Sequence, residues 1–245
     1  MKKLMMLLLA FLPLLATVQA QNEGEVLYNE IIKMNIELPE EHEHLRAMLP
    51  KSQTLTKQLL FTADKLMYKD VEQKEDDDDM MAEQGNVQVK MMVLGSENQL
   101  FKDLKTGTVV ERRDFMGKRF LIKDAEQNSL DWKLTGEQRE ILGYPCQKAV
   151  FADSTDRIEA WFTTAIPLAI GPDKFGKLPG LILEINKNDG QRTIRATKVE
   201  LKDIDDTQIK APKKGKVVTS EEFIKIIEEK SQETPGTRVM TIRSN

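Results

Sequence analysis

Residues 158–185 read IEAWFTTAIPLAIGPDKFGKLPGLILEI. The stretch opens on alternation up to Trp161, a strand pattern. It closes on Leu181-Ile182-Leu183-Glu184-Ile185, a nearly continuous apolar run that reads as a buried strand. Between them lies a segment with three prolines (Pro167, Pro172, Pro179) and three glycines (Gly171, Gly176, Gly180). Proline fixes φ and glycine opens backbone geometries closed to other residues, so this is a stiff loop of defined shape. Its apolar members Ile166, Leu168, Ile170, Phe175 and Leu178 suit it to pack against one face of a sheet. It can serve as a crossover that closes the core, or as the rim of an apolar pocket.

Working outward, the same two-residue period recurs on both sides. Val26, Tyr28, Ile32, Met34, Ile36 and Leu38 share one face of an opening strand that Pro39 ends, and Glu30 is the single charged residue on that face. Glu40 to Leu49 has helical spacing and stops at Pro50. Thr54 to Asp70 reads as a hairpin. Strands are expected at Val87–Val93, Gln99–Leu104, Thr108–Arg113, Arg119–Lys123, Trp132–Leu134, Cys146–Phe151 and Arg157–Thr163. Leu181–Asn186 and Gln191–Leu201 flank the hairpin signal Asp189-Gly190. Turn signals at this spacing specify antiparallel β architecture and exclude alternating βαβ units. Residues 72–85 are polar and read as an acidic loop. Near the end, Thr219-Ser220-Glu221-Glu222 forms a capping box for an amphipathic helix over 219–230, with Phe223, Ile226 and Ile227 on one side.

The ends and the composition set the compartment. Met1-Lys2-Lys3, an apolar stretch from Leu4 to Val18, and Val18-Gln19-Ala20 form an export signal over 1–20, with cleavage expected between Ala20 and Gln21. That apolar stretch is shorter than a bilayer span requires, and Gln21 offers no cysteine for a lipid. The rest, 21–245, reads as one β-rich domain, periplasmic or secreted, with no transmembrane segment after signal removal. The chain carries 36 Lys+Arg against 40 Asp+Glu, and this acidic balance without a basic stripe argues against nucleic-acid partners. Hydrophobic residues make up 40%, enough for a packed core. A lone cysteine rules out an internal disulfide.

Groups that could carry chemistry are few. His42 and His44, in Glu40-Glu41-His42-Glu43-His44, offer weak metal ligands on what reads as a solvated helix start. Asp76, Asp77, Asp78 and Asp79 supply oxygens for calcium but lack the EF-hand spacing. Cys146 has no histidine nearby in sequence and reads as a small apolar strand residue. The methionines read as core filling. Nucleophile-elbow, zinc-protease, Walker and dinucleotide motifs are missing from the sequence. The expectation is a nonenzymatic protein without catalytic, metal or cofactor residues.

Trp161, Ile166-Pro167, Gly171-Pro172, Lys174-Phe175-Gly176 and Leu178-Pro179-Gly180-Leu181-Ile182 resemble the signature of the GLPGLI family, and Leu142-Gly143-Tyr144-Pro145-Cys146-Gln147-Lys148-Ala149 looks like that family's strand entry. Lys177 stands where the family name expects glycine; Lys-Leu-Pro is read as needing no positive φ there. The resemblance implies a mainly β (α+β) fold similar to the outer-membrane lipoprotein carriers: a strongly curved antiparallel sheet or half-barrel with short covering helices. The family has no established activity. The first functional expectation is a noncatalytic cell-envelope binding protein that holds an apolar ligand, lipoprotein or peptide, with Phe61, Met91, Trp161 and Leu183 as candidate lining. The alternative is an accessory interaction module for an outer-membrane protein or secretion assembly. The third is a metal-dependent enzyme built on the histidines, the acidic run or Cys146.

Overall fold

The computed structural model describes residues 22–34, 50–71, 81–84, 87–90, 98–123 and 130–233. In its first half the strands are β1 (Gly24–Lys33), β2 (Ser52–Phe61), β3 (Lys65–Asp70), β4 (Met81–Gln84), β5 (Val87–Lys90), β6 (Gln99–Asp103), β7 (Val109–Phe115) and β8 (Lys118–Ile122). In its second half they are β9 (Lys133–Ile141), β10 (Tyr144–Ala152), β11 (Arg157–Thr163), β12 (Leu181–Lys187), β13 (Arg192–Leu201) and β14 (Lys216–Val218), followed by the helix α1 (Ser220–Glu233). Twelve strands form one sheet in the order β14-β8-β7-β6-β3-β2-β1-β13-β12-β11-β10-β9; β4 and β5 pair separately. Neighbours in the large sheet are antiparallel except β14, which runs parallel to β8. The mainly β, antiparallel architecture expected from the turn spacing is therefore the one observed.

Burial follows the two-residue period. Along β1 the buried positions are Gly24, Val26, Tyr28, Glu30 and Ile32. The register places Tyr28 opposite Lys57, Leu59 opposite Tyr68, Leu66 opposite Lys102 and Leu100 opposite Glu111, so these residues share one face across five strands. That face holds the main core, with Val26, Leu59, Phe61, Leu66, Phe162, Ile182 and Ile194 among its members. A smaller cluster of Leu60, Met67, Phe101, Ile204 and Ile209 forms on the other face, covered by the segment after β13.

The loop between β11 and β12 lies on the core face. Ile166, Ile170, Phe175 and Leu178 are buried, and the whole run Ile170 to Gly176 is shielded from solvent. It is tied down by backbone bonds from Leu181 N to Ile166 O (3.1 Å) and Ile182 N to Ile170 O (3.0 Å). Tyr28 donates its hydroxyl to the Ile182 carbonyl at 2.7 Å, and the Trp132 indole donates to the Gly176 carbonyl at 3.1 Å. The adjacent residues Asp173 and Lys174 reach Arg192 on β13 and Glu111 on β7 at 2.8 and 3.3 Å. Those strands are five places apart in the sheet, about 24 Å on a flat surface. The sheet therefore curls around the loop, without closing into a barrel.

Helix α1 begins with the expected capping box: Glu222 N donates to Thr219 Oγ1 at 3.1 Å, and Thr219 N donates to Glu222 Oε2 at 2.8 Å. Phe223 packs its ring on Phe115 and Phe120, with centroids 6.4 and 5.2 Å away, and so covers the β7–β8 end of the sheet.

Four sequence readings need correction. Strand β9 extends to Ile141, well past the expected Trp132–Leu134, because it is exposed along its length and has no apolar alternation to betray it. Met81–Gln84 is a strand inside the stretch read as the acidic loop 72–85; it pairs with Val87–Lys90, and Gln84 lies opposite Val87. The three-residue β14 was not expected. Finally, Lys177 has φ of +65°, the left-handed geometry that its side chain disfavours and glycine accepts. Replacing Lys177 with Gly is therefore expected to stabilise the protein by about 1 kcal/mol, less the entropy that glycine adds to the unfolded chain; urea denaturation measures it. The expected helix over 40–49 and the rest of the acidic loop lie outside the described residues, as does the export signal.

Candidate functional site

The core face carries a layer of buried charge that the loop closes. Glu30, Lys57, Lys102, Glu111, Asp173, Lys174 and Glu184 are each less than a tenth exposed. All but Glu184 gather under the loop. Arg192 donates through Nε to Glu30 at 2.7 Å and through an Nη to Asp173 at 2.8 Å. Lys57 pairs with Asp70 and stands 3.9 Å from Glu30. Glu111 is held by Arg113 and by Lys174. The carboxylates Glu30, Asp70, Glu111 and Asp173 thus face Lys57, Arg113, Lys174 and Arg192, one for one. Among the described residues, Lys102 is the cation of this layer left over.

The electrostatics follow from burial and these pairings. Burial by itself would push the Asp173 carboxyl up, but Arg192, Arg113 and Lys174 outweigh it and hold the group well below the usual carboxylate range. Burial likewise works against the charge on Arg192, and Glu30 and Asp173 more than restore it. Lys102 has no such compensation: burial brings its ammonium down to about 8, against partial opposition from Asp173 and Glu111. Burial drives the hydroxyls of Tyr28 and Tyr68 well above their ordinary value.

The described residues nominated for an apolar ligand lie in different surroundings. Phe61 and Leu183 are fully buried in the main core. Phe61 and Trp161 sit on β2 and β11, four places apart in the sheet. Trp161 lies in register between Lys148 and Glu184 and stacks under the Arg139 guanidinium at 4.1 Å, with Lys148 Nζ at 5.9 Å from the ring. Around it Arg139 and Arg195 each reach Glu184 at 2.8 Å. This is charged company, not a greasy wall. Met91 lies outside the described residues. Away from the loop, an open cleft of about 370 Å³ is lined by Asn22, Glu23, Thr62, Asp64 and Asp206, with Ile204 and Ala63 as its apolar members.

Cys146 is buried at 1% exposure and donates its thiol weakly to the Tyr144 carbonyl at 3.4 Å. Burial pushes the thiol up to about 11, the reverse of what a nucleophile needs. At pH 7.5 Cys146 is expected to resist Ellman's reagent in the native protein and to react fully in denaturant; rapid native labelling would contradict the burial. His42, His44 and Asp76 to Asp79 lie outside the described residues. Among the described residues no group of His, Cys, Asp and Glu is arranged to hold a metal ion, and no helix is long and apolar enough to cross a membrane.

The structure thus defines a class: an open, curled antiparallel sheet whose concave side is closed by its own loop over a charged layer. The family model described as "N-glycanase peptide, N-terminal domain" matches residues 84–233, well over half of the chain, and the chain belongs to that family. Two structures of PNGF-II, in the C2 and P21 space groups, share the fold. They superpose with TM-scores of 0.55 and 0.54 at 18% identity, covering 84% and 85% of this chain but 33% and 34% of theirs. The chain therefore spans about a third of the length of the structures it matches. No curated protein matches it.

Proposed function

We propose that the chain is a noncatalytic binding module of the cell envelope that engages a protein partner through the β9 edge of its sheet. The carrying observation is β9 itself, which ends the sheet order and is exposed from Lys133 to Glu140. An edge strand presents unpaired backbone donors and acceptors, the template used in strand addition. Its register with β10 shifts between Gln147 and Ala149, and Gly136 has φ of +82°. This bulge discourages indiscriminate pairing. It leaves Gln138 to Ile141 as the regular stretch, beside the Arg139–Trp161 stack.

The family supports a module reading, since its model describes an N-terminal domain of a longer kind of protein. The buried Cys146 and the self-paired charges under the loop speak for binding over catalysis. The burial of Phe61 and Leu183 in the core weighs against the apolar-cargo reading and for the interaction module. We further propose that residues 161–182 carry the GLPGLI signature on this fold and that the chain is exported through the signal over 1–20.

A photocrosslinking amino acid at Gln138, compared with one at exposed Lys213 remote from the edge, tests the proposal in the native cell. A discrete protein adduct from position 138 alone is the expected result. Equal labelling from both positions would overturn edge docking. A lipid or acyl mass retained by gently purified protein in native mass spectrometry would restore the cargo reading.

A further inference from the structure

We propose that Lys102 and Tyr68 form a buried binding site for a small monovalent anion beneath the loop. Lys102 Nζ and Tyr68 Oη are both buried without a hydrogen-bond partner, on side chains that are 2% and 6% exposed. They lie on adjacent strands and on the same face: Leu66 stands opposite Lys102, and Tyr68 opposite Leu100. That diagonal relation is within reach of two long side chains. Both also lie within electrostatic reach of the Asp173 carboxylate.

The chemistry of the ligand follows from what is left over. Among the described residues each carboxylate of the layer already has its cation, and Lys102 is the surplus charge. A buried ammonium without a hydrogen bond or a direct ion pair is costly, as is an unpaired hydroxyl. One acceptor bearing a single negative charge satisfies both donors and brings the layer to neutrality. A dianion would overshoot, and the flanking Asp173 and Glu111 would repel it. A cation would be repelled by the Lys102 ammonium. Chloride and formate carry the single charge required, and their small size suits a site among side chains as buried as these.

Thermal unfolding of the intact protein at pH 7 and fixed ionic strength tests this, with sodium chloride or sodium formate exchanged for sodium gluconate. Chloride and formate are expected to raise Tm saturably, by about 4 °C at ten times the dissociation constant. Gluconate should not. The rise should vanish in Lys102→Met, and Tyr68→Phe should weaken binding roughly tenfold. A wild-type crystal soaked in bromide should show an anomalous peak within hydrogen-bond distance of Lys102 Nζ, which decides the matter even where Lys102→Met fails to fold. Identical responses to all three salts, a chloride effect that survives in Lys102→Met, or no bromide at Lys102 would overturn the site.

Discussion

Gly180→Ala is expected to destabilise the protein by about 3 kcal/mol or more, at the upper end of what overpacking costs. A Cβ at position 180 would stand 2.0 Å from the Thr163 carbonyl oxygen and 2.6 Å from its carbon. Both are backbone atoms, at the end of β11, so no side chain can swing away to make room. Relief would require the loop to lift, and the loop is where Leu181 N meets Ile166 O and where Tyr28 reaches the Ile182 carbonyl. Gly107→Ala is the matched comparison. Nothing lies within 4 Å of its added Cβ, and only its φ of +73° is unfavourable, which costs about 1–2 kcal/mol. Urea unfolding of both variants, read by the fluorescence of Trp132 and Trp161, separates the two effects. Equal losses would mean that steric contact at position 180 is not what the glycine avoids.

Much of this fold is legible because half-buried strands advertise themselves. Val26, Tyr28 and Ile32 alternate with polar neighbours because one face of β1 meets the core and the other does not. Strand β9 is silent for the same reason: its residues meet solvent, so nothing selects an apolar period. The loop is recognisable from its prolines and glycines, and its apolar members Ile166, Ile170, Phe175 and Leu178 are buried as their spacing suits them to be. The charged layer was legible at one point only, Glu30, the exception on an apolar face. Its partners were not, since Lys57, Glu111 and Arg192 lie far along the chain and only strand register brings them together. Lys177 misled for a subtler reason: the backbone demands left-handed geometry there even though the residue does not favour it.

Arg192→Ala should cost about 3–5 kcal/mol, because it strips the shared cation from two buried carboxylates at once. Among the described residues Glu30 keeps only Lys57, at 3.9 Å, and Asp173 loses a partner at 2.8 Å. Arg195→Ala is the control. That guanidinium also holds a buried carboxylate, Glu184, but it is 61% exposed and Arg139 holds the same group, so the expected loss is about 1 kcal/mol or less. The pH dependence gives a second, independent reading. The Asp173 carboxyl is depressed in the folded protein, so its contribution is fully present above its unfolded pKa, about 4, and is lost as pH falls toward its lower folded value. In Arg192→Ala the principal opposition to burial is gone, and that depression shrinks or reverses. The gap in stability between wild type and variant should therefore be widest near neutrality and narrow below about pH 4. A gap that stays constant from pH 7 to pH 3 would show that Arg192 contributes through packing alone and that the ion pairs under the loop carry no net stability.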